Sequence, residues 1–129
     1  MKETELRIGN YVNDGDGYQN IVESISEDII TIRSGVTSGV YFREPINELY
    51  PIPITEEWLQ MLGFDKYETD KSVNYNKDGF RFTYTHSGKF KGKVFFNIFN
   101  VLTTDKVQYI HQLQNLYFAL IGEELNKTK

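Results

Sequence analysis

The closing stretch "VQYIHQLQNLYFALIGEEL", residues 107–125, is apolar on more sides than one neighbour can cover. At 100° per residue, Val107, Ile110, Leu113, Tyr117, Phe118 and Ile121 share one broad arc. Tyr109, Leu116 and Leu120 form a second apolar stripe behind it, and Gln108, Gln112, Asn115 and Ala119 leave a narrow wet strip. Such a helix is normally covered on two sides, by the rest of the chain or by a second copy of it. Tyr109, Leu116 and Leu120, with His111 at the arc's edge, are therefore the expected interface residues. Gln114 falls inside the arc. An unpaired buried amide would cost roughly 1–3 kcal/mol, so Gln114 is expected to bond a backbone edge or a loop. His111 reads as a satisfied boundary histidine, and the polar residues together as a docking seam, with a pocket as the alternative. The helix is expected to begin near Asp105 and to end before Gly122, with a tail frayed after Leu125.

Two surfaces are on offer. From residue 6 to 44 the apolar period is two: "LRIGNYV", "YQNIVESI", "DIITIRSG" and "GVYFRE" are short β-rich runs separated by Gly, Asp and Ser. They predict a small curled antiparallel sheet of SH3-like type. Pro51 and Pro53 then force an extended connector, which places a boundary between residues 1–50 and 51–129. A short helix follows, N-capped by Thr55, with Glu56 and Glu57 in its first turn and Gly63 at the left-handed C′ position. Asp78-Gly79 between alternating runs predicts a hairpin. "KVFFNIFNV" reads as a third strand, apolar on both faces, hence central or covered twice. The expected fold is α+β: a small SH3-like β module packed on a three-stranded antiparallel meander with two helices, as two modules or around one shared core.

Composition narrows function. The 129 residues carry a net charge of −4 with pI near 5.2, which argues against a nucleic-acid binder held by phosphate neutralisation. Residues 1–50 hold four Lys/Arg against nine Asp/Glu, so the acidity is N-terminal. Without cysteine there is no disulfide, thiol nucleophile or Cys-ligated zinc. "MKETELRIGN" has no apolar h-region and no run approaches a membrane span, so a cytoplasmic location is expected.

Two segments resemble ligand loops. "VNDGDGYQNIVE" places Asp14, Asp16, Gly17 and Glu23 at positions of a calcium loop, but Val12 stands where the first carboxylate belongs, and the run reads as a tight turn. "GKFKGKV", residues 88–94, is too short for a phosphate loop and lacks the Ser/Thr after Lys93. What remains is a hairpin tip where Lys89, Phe90, Lys91 and Lys93, with Arg81, Tyr84 and His86 on the preceding strand, could meet a small anion. The competing reading is a solvated tip. Two histidines with no metal-binding spacing and no nucleophile elbow give no enzyme motif; neither metal nor cofactor is expected.

With "ELRIGNYV", "PIPITEEWLQMLGF" and "HQLQNLYFALIGEEL", the chain resembles an uncharacterised group of small proteins from gut Bacteroidales and their phages or mobile elements. That group shares the L-R-I-G-N start and the long closing motif, more often with Thr at the place of Ile121; the resemblance does not extend over roughly residues 65–105. The resemblance implies a phage or mobile-element context and carries no activity. The function expected is a non-enzymatic binding module acting through a protein partner or self-association. The alternative is a small-molecule binder, such as a sponge for a nucleotide signal in counter-defence.

Overall fold

The computed structural model describes residues 1–2, 5–103 and 107–128, with the backbone alone at Leu102 and Thr103. The fold is α+β, in two compact units: residues 1–54 with 107–126, and residues 55–106 with 127–129. The chain thus divides close to the expected boundary, but the closing helix joins the N-terminal sheet instead of the 51–129 module. Sequence periodicity cannot say which sheet a helix covers.

In the first unit, β1 (Tyr11–Asn13), β2 (Gln19–Ser26), β3 (Ile29–Ser34) and β4 (Tyr41–Pro45) form an antiparallel meander in that order. The register aligns Val22, Ile32 and Phe42 across three strands, so these side chains share a face. Leu6, Val12, Val22, Ile30, Ile32 and Leu49 make the core on that face. The expected first strand is short, because residues 7–10 turn, with the Asn10 amide bonding the Arg7 carbonyl and Gly9 at φ 95°. After β4 the chain passes through a 3-10 turn at Ile46–Glu48, and one bridge pairs Tyr50 with Asn13. The connector then bonds the closing segment: the Ile54 amide donates to the Gln108 carbonyl and the Ile110 amide to that of Ile52.

The second unit opens with α1 (Glu56–Met61). The Thr55 hydroxyl accepts from the Trp58 amide at 3.2 Å. The Gly63 amide bonds the Gln60 carbonyl and the Phe64 amide that of Leu59, which closes the helix in a Schellman motif. A five-stranded meander follows instead of three strands: β5 (Asp65–Glu68), β6 (Ser72–Lys77), β7 (Phe80–Thr85), β8 (Val94–Ile98) and β9 (Val101–Thr103). The expected single strand over 93–101 breaks at Phe99-Asn100, both at positive φ (50° and 66°), which turns it into a hairpin. The broken strand is central, as expected, yet only Phe96 on it is buried. Phe82 stacks on Phe96 at 4.4 Å and meets Phe64 edge-on at 6.0 Å, in a core with Trp58, Leu59 and Leu62. The tail is not free after Leu125: the Thr128 amide donates to the Met61 carbonyl at 2.7 Å, and the Lys127 ammonium lies 4.8 Å from the Trp58 ring.

Candidate functional site

The helix α2 (Ile110–Ile121) settles first what its polar residues do. The expected start near Asp105 lies outside the described residues; the described helix begins at Ile110, with Tyr109 extended before it and the Gln112 side chain accepting from the Tyr109 amide at 3.1 Å. Gln114 is fully buried and makes four hydrogen bonds. Its Oε1 accepts from the Tyr11 amide at 2.9 Å and from Asn10 Nδ2 at 3.4 Å; its Nε2 donates to the carbonyls of Gly9 at 3.1 Å and Leu125 at 3.0 Å. An amide has two donors and two acceptor positions, and all are used. Asn115, assigned to the wet strip, joins the same seam, accepting from Asn10 Nδ2 at 2.9 Å and donating to the Glu5 carbonyl at 2.8 Å. These amides dock the helix on the turn that leads into β1.

His111 departs from the boundary reading. It is buried, stacks on Tyr109 with centroids 6.0 Å apart, and neither ring nitrogen has a partner among the described residues. Burial holds it neutral by lowering its pKa; the Glu5 carboxylate opposes this and the N-terminal ammonium adds to it. Of the expected interface residues, His111 is thus inside, Tyr109 and Leu116 are half-buried, and only Leu120 is exposed. The second stripe is covered in part. Phe118, placed in the inner arc, is exposed and carries the Arg7 guanidinium at 3.9 Å from its ring.

The basic hairpin is not assembled as a pocket. Lys89, Lys91, Lys93 and His86 are exposed, and the loop closes on itself through amide bonds such as Gly92 to Thr85 at 2.7 Å. Phe90 packs edge-on against Phe95 at 5.6 Å and has the Lys89 ammonium 5.7 Å away. Arg81 does not join them: it is held at the opposite end of β7 by Asn76 and Asn100. Tyr84 meets Tyr75 edge-on, and burial pushes both hydroxyls up to about 12. Both therefore stay protonated near neutral pH, Tyr75 donating to Glu56 at 2.9 Å.

A site absent from the sequence reading lies in the first unit. On the core face of the sheet, the row Val22–Ile32–Phe42 runs out to the edge strand β4, where Phe42 is left exposed. Beyond the cover an open groove of about 680 Å³ remains. Ile32 and Asn20 line its floor; Tyr18 and Phe42 are aromatic walls; Asp16, Glu44 and Glu48 stand along it. Asp14 also lines it, but its carboxylate is engaged: Oδ1 accepts from the amides of Asp16 and Tyr18, and Oδ2 from Asn20 Nδ2. The "NDGDG" run is thus the β1–β2 turn, and it forms one lip of the groove. A signal existed in the sequence, in the adjacent aromatics of "GVYFRE" and the acidic excess of residues 1–50. Among the described residues no helix is long and apolar enough to cross a membrane, and no three His, Asp or Glu side chains gather as metal ligands. No protein-family model matches the chain, and no curated protein or solved structure matches it.

Proposed function

We propose that the chain is a non-enzymatic binding module, of phage or mobile-element origin, that works by holding another protein. One observation carries the reading: the groove, whose aromatic walls stand in solvent (Tyr18 63% and Phe42 45% exposed) beside an exposed Val36. Exposed aromatics grouped at a concave surface are what partner surfaces bury, since each adds large apolar area at low entropy cost. The seam residues, by contrast, are spent on holding α2 in place.

The test is a photo-crosslinking residue at position 42, compared with one at position 90, in cells making the protein. A discrete protein adduct from position 42 and none from position 90 is expected. An adduct of twice the chain mass would make the partner a second copy. No protein adduct from position 42 would overturn the reading. A second reading, a small anion at the hairpin tip, draws on the Lys89–Phe90 approach alone. Saturable, salt-sensitive nucleotide binding, abolished by replacing Lys89, Lys91 and Lys93 with Ala, would put that reading in front.

A further inference from the structure

We propose that the groove of the first unit takes a cationic peptide segment, with an Arg or Lys side chain lying between Tyr18 and Phe42. This rests on the binding-module reading and names the partner's chemistry. Among the described residues no Lys or Arg lines the groove, while Asp16, Glu44 and Glu48 do. The surrounding unit has the same sign. Its segments 1–54 and 107–126 contain four Lys/Arg against eleven Asp/Glu, the nine of residues 1–50 plus Glu123 and Glu124. The other unit, with ten Lys/Arg against seven Asp/Glu, is positive. The potential that would draw a cation is therefore local to this unit, and an acidic cleft with low-dielectric walls focuses it.

The kind of cation follows from how the groups are spaced. Among the described residues no three carboxylates gather as metal ligands, so the acidic side chains of the groove act as a negative rim. Between them lie two exposed aromatic faces and the apolar Ile32, Val36 and Val40. A charge carried on an apolar stem satisfies both halves: the stem packs on the rings, and the head reaches the rim. Arg suits this better than Lys, because its planar guanidinium stacks on a ring while donating to carboxylates at its edge. A cavity of about 680 Å³ admits one or two long side chains with the backbone that carries them.

The experiment selects random nonapeptides by display on the full chain at physiological salt, then measures the selected peptides by fluorescence anisotropy. Selected sequences should be enriched in Arg and Lys, and exchange of the key Arg for neutral, isosteric citrulline should abolish binding. F42A, which removes a wall and leaves every charge, should weaken binding about tenfold. Glu44→Gln with Glu48→Gln should do the same with both rings kept. Glu27→Gln with Glu123→Gln removes equal charge outside the groove and should change affinity less than twofold. Thermal melts of each variant control for folding. Selected peptides without basic enrichment, no selected peptide at all, or equal loss from the two carboxylate pairs would overturn the proposal. If position 42 still crosslinks a protein in cells, such a result removes the cationic class and leaves the binding module standing.

Discussion

At the scale of single residues, the two buried polar side chains of α2 are opposites. Gln114 is saturated, and three of its four bonds run to backbone groups. Gln114→Met keeps the volume and removes all four of these bonds. It should destabilise the first unit by about 3 kcal/mol, read by urea titration of first-unit amide NMR signals. A loss under about 1 kcal/mol would show that water replaces the side chain. His111 has burial without bonds, so its protonation is disfavoured in the fold and free in the unfolded chain. Because the folded pKa is depressed, His111 takes nothing from stability above its ordinary value of about 6.5. As pH falls below that value the unfolded chain binds a proton that the fold refuses, and stability drops by up to about 1.4 kcal/mol per pH unit until the folded pKa is reached. His111→Leu should flatten that slope between pH 7 and 5 and leave neutral-pH stability equal or higher. An unchanged slope in thermal melts would assign the pH response to other groups.

At the scale of elements, what was legible in the sequence is what is local. The helix α1 could be read from Thr55 to Gly63 because its caps lie within nine residues, and Asp78-Gly79 announced its hairpin by turn chemistry. The second two-residue turn was missed because Phe99-Asn100 contains no glycine to mark it, and β5 because "DKYE" is exposed throughout and has no apolar alternation. The groove was illegible for a different reason: the β1–β2 turn, the 35–40 loop, β4 and the 3-10 turn must all be placed before it exists. The two tight turns are coupled. Gly79, at φ 89°, lies beneath the Phe99 ring, where an added Cβ would come within 2.4 Å of two ring carbons. Gly79→Ala therefore meets both left-handed strain and a displaced ring. It should cost about 2–3 kcal/mol. Fluorescence of Trp58, the chain's one tryptophan and a core residue of the same unit, would follow the transition. Restoration by Phe99→Ala of a part of that loss would show the steric share, and none would leave backbone strain as the whole cause.

At the scale of the molecule, the chain interrupts its first unit to build its second. Ile54 leaves the first unit and Val107 re-enters it, and the bond from the Ile54 amide to the Gln108 carbonyl, 3.0 Å, holds departure and return side by side. The N-terminal sheet then lacks its docked helix until the last residues arrive, since Gln114 ties α2 to residues 9–11. This nonlocality is why the sequence alone groups the closing helix with residues 51–129, although its need for more than one covering surface was plain. It also makes an expectation about excision. A chain with residues 55–106 replaced by a short Gly/Ser linker keeps both ends of the Ile54–Gln108 bridge, the whole meander and α2. It should give a dispersed amide spectrum, with the Gln114 side-chain NH₂ signals slow to exchange because both protons are bonded. A chain ending at residue 106 has the same sheet without its helix and should lose dispersion throughout residues 6–50. If the truncated chain stays folded, α2 is dispensable to the sheet. If the excised chain collapses to a random-coil spectrum, the first unit depends on the inserted one and the two are a single cooperative structure.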